Sequence, residues 1–456
     1  MRWTGRSRKN TAPAVGGLFF PQSKSLGIDR SHFSPALQAK ITFAGANNTS
    51  YAQAEQDLRV LAELEVGDKQ VRRLCKTIGD ERVAERDAEV SSYQAKPLVE
   101  RKGVPEGVTA PEVAVVGVDG GRLQIFERPA QDEPAQQPST PEEIQDDVAM
   151  PEPSSSAKKP LYWREDKIGL LLTMSSECHA ADPCPEIPAS FVNPHWITQL
   201  TKELGQHGPA KEPTVDQTIG PSTAADAEEP VDWKPEPLTK NLVATRRPWE
   251  LFGPMVAALA WSLGFFGASR RAFIGDGAEN NWTVWRRYFS SFVPILDFIH
   301  ALTYVFHAAL AGRSQADGWA VYTRWIGWLW SGSVEKVIAE LAERQAALGV
   351  PVDDAKETSP AKTVARALSY LQNNKDRMRY ADYRRQGLPI VSSYVESAVK
   401  QFNYRVKGTE KFWREVGAEG ILQLRADYLS DDEPMAQFWK RRETSESGQP
   451  RYRKAA

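Results

Sequence analysis

The chain has 456 residues, 41% of them hydrophobic and 25% charged, with a formal net charge of −2. This suffices for one large domain, or a core domain with appendages. Three cysteines exclude a disulfide framework and suit a reducing compartment.

The basic N-terminus, MRWTGRSRKNTAP, has no apolar run behind it and does not read as a secretory signal. A near-zero net charge argues at first against a nucleic-acid partner, but its distribution reverses that. Residues 131–240 hold 20 acidic and 8 basic side chains, a net of −12, which leaves +10 for the rest. The positive charge lies in the segments that look folded.

Residues 1–50 read as irregular, with scattered Gly, Pro and Ser. Residues 51–110 read as helical. Leu58, Leu61 and Leu64 share one face, and Val71, Leu74 and Ile78 repeat at helical spacing after Asp68. Lys69, Arg72, Arg73 and Lys76 lie along the second helix, which suggests a DNA-binding helix-turn-helix. A helical hairpin with a solvated basic face reads equally from these residues.

Residues 111–300 carry the β pattern. VAVVGVDGG is a buried strand, Gly120-Gly121 predicts a hairpin turn, and LQIFE predicts the returning strand. Further strands are expected at IGLLLTM, RAFIGDG and FVPILDF. The Pro-rich acidic stretches at about 129–160 and 180–240 read as surface insertions, the second around one short helix with Ile197, Leu200 and Leu204. Leu251 to Phe266 is apolar, but it is shorter than the roughly 20 residues of a spanning helix and contains Pro254; a buried helix is expected, with no membrane partner. Residues 301–387 predict a helical insertion, 388–430 a last core helix, and 431–456 a polar tail. The order β-β-β-α-β-α-β-α predicts an α/β, RNase H-like fold: a mixed sheet with helices on its faces.

Asp119 and Asp276 are each expected at a strand end beside glycines, where a carboxylate can face a cleft. In an RNase H-like sheet the first and fourth strands are neighbours, so the two acids converge. Close carboxylates repel, and a divalent cation relieves that repulsion. Two ions about 3.5–4 Å apart suit phosphodiester displacement. Glu396, in SSYVESAVKQFNYRVKG, is the candidate third ligand, on a helix capped by Ser392 or Ser393. Lys400 follows one turn later; Arg405, Lys407 and Lys411 continue a positive line interleaved with aromatics, as expected of a helix gripping a phosphate backbone.

The segments VGVDGGR, FIGDGAENNW, ILDFIHA, NNKDRMRY and GLPIVSSYVESAVKQFNYRVKGTEKFW resemble, in order, the DDE transposases of bacterial insertion sequences of the ISKra group. The resemblance implies a catalytic triad of Asp119, Asp276 and Glu396 holding two Mg2+ or Mn2+ ions. It also implies double-stranded DNA as partner, assembly as a homo-oligomer on DNA, and a cytoplasmic, nucleoid-associated site of action. Asp297 and His300 resemble a D-x-x-H element that several such groups carry, whose His would contact a phosphate near the site; a capping Asp and a core His is the plainer reading. Cys178, His179 and Cys184 lack a fourth ligand and matching spacing for zinc. Trp319, Trp325, Trp328 and Trp330 read as helix core, with base stacking as the sharper alternative. The competing functions are an RNase H-like nuclease without strand transfer, an inactive transposase-derived DNA-binding protein, and a paired-carboxylate enzyme such as a glycosidase.

Overall fold

A computed structural model describes residues 33–126, 163–205, 233–352, 356–408 and 411–446. The expected acidic loop at 129–160 and residues 1–32 and 447–456 lie outside them. Helix α1 (Pro35–Asn47) begins at Ser34, whose hydroxyl accepts from the Leu37 amide, and it buries Ile41, Ala44 and Ala46. Part of the stretch read as irregular is therefore a packed helix. Its small residues are the reason: at Gly45 a Cβ would come within 2.4 Å of Cys75 Sγ, so glycine there permits close helix contact.

Helices α2 (Tyr51–Ala62) and α3 (Asp68–Ala95) follow. At 28 residues α3 runs well past the expected basic helix. Gly79 lies inside it, and a Cβ there would come within 2.9 Å of the Gly420 backbone of a crossing helix, so glycine permits the close contact. The short α4 (Leu98–Arg101) leads into the sheet.

Strand β1 (Val113–Ile125) and strand β2 (Trp163–Ser175) pair antiparallel along their length. The hairpin expected at Gly120-Gly121 is not there. Both glycines are extended, opposite Lys167 and Asp166, so the two predicted strands are one. Gly-Gly is a local turn signal, and a long partner strand overrides it.

Helix α5 (Pro194–Gly205) is the expected short helix, with Ile197 buried. Strand β3 (Glu236–Thr245) was hidden in the acidic insertion; it pairs with β2 at the sheet edge, where its polar first half stays in solvent. Helix α6 (Trp249–Ser262) is the predicted buried helix, Pro254 included. Among the described residues no helix is long and apolar enough to cross a membrane.

Strand β4 (Arg270–Gly275), helix α7 (Glu279–Tyr288), strand β5 (Val293–Leu296) and helix α8 (Phe298–Leu310) complete the sheet region. The helical segment then continues as α9 (Gln315–Trp330), α10 (Val334–Leu348), α11 (Pro360–Asn374) and α12 (Tyr380–Arg385). Trp325 and Trp330 are buried, Trp330 with its indole N–H on the Cys184 carbonyl, which is the core reading. The last segment is α13 (Ser393–Val406), β6 (Phe412–Trp413), α14 (Glu415–Leu429) and α15 (Pro434–Glu446). The predicted polar tail thus begins with a helix that buries Met435, Phe438 and Trp439.

Among the described residues the chain is α/β and 60% helical, around an open mixed sheet of six strands. The order is β3-β2-β1-β4-β5, with β6 on the far end of β1. The first three strands are antiparallel; β4 and β5 run parallel to β1. Helices cover both faces. Gly117 of β1 meets Val395 of α13, whereas Gly169, paired with Val118 on the other face, meets Phe252 and Val256 of α6. Helix α3 ties the N-terminal helices to this body: the buried Arg82 bonds Asp427 of α14 at 2.9 Å, and Arg86 bonds Glu419 at 2.9 Å.

Candidate active site

Asp119 is not at a strand end, because β1 continues to Ile125. What ends is its neighbour: β4 pairs with β1 only as far as Gly117 opposite Ile274, and stops at Gly275. Continuing that parallel register sets Asp119 level with Asp276, on strands spaced roughly 4.8 Å apart. Alternation puts Asp119 on the same face as Gly117, the face that α13 covers. A Cβ on Gly117 would come within 2.3 Å of Val395 Cγ2, so this glycine lets α13 lie close on the strand. Glu396 is the next residue of that helix.

Asp276 is held firmly. Its Oδ1 accepts from the Ala278 amide at 2.9 Å and from Asn281 Nδ2 at 2.8 Å. The buried Asn281 also reaches the Val118 carbonyl at 3.4 Å, beside Asp119. The Asp276 carbonyl accepts from the Tyr370 hydroxyl at 2.7 Å, and Tyr304 stacks on Tyr370 at 3.8 Å. Gly277 has φ +99, and a Cβ there would lie 2.6 Å from the Tyr370 ring; glycine meets both demands.

Asp297 links the other two elements. It is fully buried and caps α8, accepting from the His300 amide at 2.9 Å, and its second oxygen accepts from the Ser392 amide at the start of α13. Neither serine caps α13 with its side chain in the expected way: Ser392 stands at the N-cap without a side-chain bond. One carboxylate thus fixes the positions from which His300 and Glu396 project. His300 Nδ1 lies 3.4 Å from Asp297 Oδ1, an ion-pair distance. Donor atoms of Asp297, His300 and Glu396 all lie within 4.8 Å of one another.

The charges of these groups act on one another. Burial, then the charge of Asp276, pushes the Asp119 carboxyl up to about 7; Glu396 adds to the rise, and the Gly120 amide and His300 oppose it. Burial would lower the His300 pKa, but Asp297, Asp276 and Glu396 together lift it to about 9. Asp297 goes below its ordinary value: burial opposes that, and contact with His300 and Ser392 outweighs it.

The basic residues divide. Lys400 and Lys407 are exposed, as a phosphate contact requires. Lys411 is half-buried and donates to the Tyr404 carbonyl at 3.0 Å. Arg405 contradicts its expected role. It is buried, donates to the Gly45 carbonyl at 3.0 Å, and lies between the rings of Tyr51 and Trp413. The side of α13 that carries it is covered by α1 and α2, so it holds the fold and cannot follow a DNA backbone. Arg72, Arg73 and Lys76 are exposed on α3, with Lys76 paired to Asp80 at 2.6 Å. Cys178 and Cys184 each donate to a backbone carbonyl, of Gln386 and Glu186.

Asn281, Tyr370 and Asp166 carry little local signal in the sequence. Asn281 stands in GDGAENNW, five residues after Asp276, and that proximity is its one signal. Asp166 sits on the same sheet face as Asp119, opposite Gly121, fully buried, and neither oxygen has a hydrogen-bond partner in another residue. Burial pushes its carboxyl up to about 7. Its setting, WREDK, looks solvated in sequence. Comparison with models of known protein families gives no match, and comparison with curated proteins gives none.

Proposed function

We propose that the chain is a DDE-type transposase with an RNase H-like core, acting on double-stranded DNA as a homo-oligomer. The observation that carries this reading is geometric: the β1–β4 register brings Asp276, just past β4, level with Asp119, and Val395 of α13, next to Glu396, packs on Gly117 two residues before Asp119. The strand order, with the first and fourth strands adjacent, supports the RNase H-like assignment. An all-carboxylate set under mutual repulsion fits Mg2+ or Mn2+, which favour oxygen donors. Asp119, Asp276 and Glu396 would hold two such ions.

Bound there, the ions supply charge neutralisation for the attacking and leaving oxygens of an in-line displacement at phosphorus. The chain's own part is positioning. Asn281 and the Ala278 amide fix the Asp276 carboxylate, and Asp297 sets where α13 begins and so where Glu396 stands. Lys400, exposed one turn beyond Glu396, offers a cation to a phosphate flanking the reacting bond. The same site would first hydrolyse the strand at an element end, and then direct the freed 3′-hydroxyl at target DNA.

The test uses the full chain and DNA carrying the ends of the element that flanks its gene. Cleavage and strand transfer should both require Mg2+ or Mn2+. Asp119→Asn, Asp276→Asn and Glu396→Gln should each abolish both while leaving the circular dichroism spectrum and DNA binding intact. Double variants should be no worse than single ones, since the acids act as a unit. Cleavage without joining would favour a nuclease, and DNA binding without either would favour an inactive derivative. Near-normal cleavage by any single variant would remove that residue from the site.

A further inference from the structure

Three carboxylates would account for oxygen coordination, but an imidazole close to Glu396 is left idle by them. His300 stands on the first turn of α8, at the N-terminal end that faces the start of α13. A ring nitrogen of His300 and an oxygen of Glu396 belong to one set of donors within 4.8 Å of each other, the span over which two ligands share an ion. The third member, Asp297, is poorly placed to be a ligand: it is fully buried, and its two oxygens already accept the amides of His300 and Ser392. It is well placed to orient the ring. The Nδ1 atom lies 3.4 Å from Asp297 Oδ1 and is buried without an aligned hydrogen bond, while 27% of the side chain remains exposed. A carboxylate against one imidazole nitrogen, leaving the other for the ion, is how proteins commonly set a histidine against a metal.

We propose that the cation held on the Glu396 side of the cleft takes His300 as a nitrogen ligand, oriented by Asp297, and that this position therefore prefers Mn2+ to Mg2+. Imidazole is a good donor to first-row transition ions, whereas Mg2+ keeps to oxygen donors and its waters. The two ions would then differ in kind: one bound by oxygens alone between Asp119 and Asp276, the other by mixed nitrogen and oxygen donors. The inference rests on the proposal that Glu396 binds a cation, and not on the reaction that follows. Asp276 and Glu396 also face His300, so an ion pair between the ring and these acids, with no metal bond, is the outcome to be distinguished.

The experiment is pulsed electron paramagnetic resonance on the full-length protein loaded with Mn2+, without DNA. Bound Mn2+ should show nitrogen modulation, and the coupling should change isotope when the protein is grown with 15N-histidine. In His300→Gln the nitrogen coupling should vanish. One Mn2+ site should weaken by roughly tenfold or more, and Mg2+ affinity should change less. Labelling of the parent protein keeps the test sound if the variant folds poorly. Bound Mn2+ without nitrogen coupling, or coupling that persists in His300→Gln, overturns the inference and leaves the carboxylate site standing. Failure to bind Mn2+ at all overturns both. Nitrogen coupling in a protein that neither cuts nor joins DNA would uphold the inference and count against the transposase reading.

Discussion

Replacing Arg405 with alanine separates a fold-holding role from a DNA-binding one. The guanidinium donates to the Gly45 and Thr49 carbonyls at 3.0 and 3.3 Å, and its carbon lies 4.5 Å from the Tyr51 ring and 4.9 Å from the Trp413 ring. Hydrogen bonds to a charged group contribute about 1.5–3 kcal/mol each, and a desolvated cation–π contact about 2 kcal/mol. Opposing them is the cost of burying an unpaired charge, several kcal/mol; burial also holds the Arg405 pKa below its ordinary value. The alanine variant loses the contacts, leaves two carbonyls without their donor, and opens a cavity, for a net loss of roughly 3–5 kcal/mol. Urea unfolding followed by tryptophan fluorescence should show the midpoint fall by that equivalent. Hydrogen exchange should quicken first in α1 and α2, which the side chain ties to α13. DNA affinity measured against salt, on protein that remains folded, should keep its slope. A variant that is as stable as the parent but loses about 0.9 from the slope of log affinity against log salt would refute this and restore Arg405 to the proposed DNA surface.

Two further perturbations test the site's surroundings. Asp166 has its carboxyl raised from 3.8 to about 7 in the folded chain, so the folded state holds the proton more tightly than the unfolded one. Stability should therefore decline as pH rises from about 4 to 7 and level off above that, by an amount on the order of 4 kcal/mol for the whole window. Asp166→Asn should remove this slope and melt higher than the parent at pH 8; identical pH profiles would show that the carboxyl is not protonated there. Gly117→Ala drives a methyl to within 2.3 Å of Val395 Cγ2, and displacing α13 should cost about 1–3 kcal/mol and depress DNA cleavage, with recovery in Gly117→Ala/Val395→Ala. Full cleavage by the single variant would mean that the close approach of α13 does not set the position of Glu396.

Much of the framework is readable in one dimension because its signals are local. The valine run of β1, the strand before Asp276, the apolar α6 and the helical stretch from 301 all follow from side-chain periodicity, and periodicity records which face of an element is buried. Asp119, Asp276 and Glu396 stand out as acids at the edges of such segments. What periodicity cannot hold is which element lies beside which. The Gly120-Gly121 pair resembles a turn until β2 is paired along it, and β3 resembles an acidic loop because its polar half lies at an open edge. Arg405 and Lys407 look alike along α13. Arg405 is buried because α1 and α2 cover its side of the helix, and Lys407, just past the helix end, is exposed among the described residues. Likewise, Asp166 in WREDK becomes a buried acid through a glycine 45 residues earlier that leaves room for it. The sequence by itself picked out the candidate acids and the segments in which they stand. The tertiary structure decided that β4 stops where β1 continues, so that Asp119 and Asp276 stand level, and that one buried carboxylate, Asp297, joins the helix of His300 to the helix of Glu396. Such relations depend on contacts between distant segments, and no local pattern of residues encodes them.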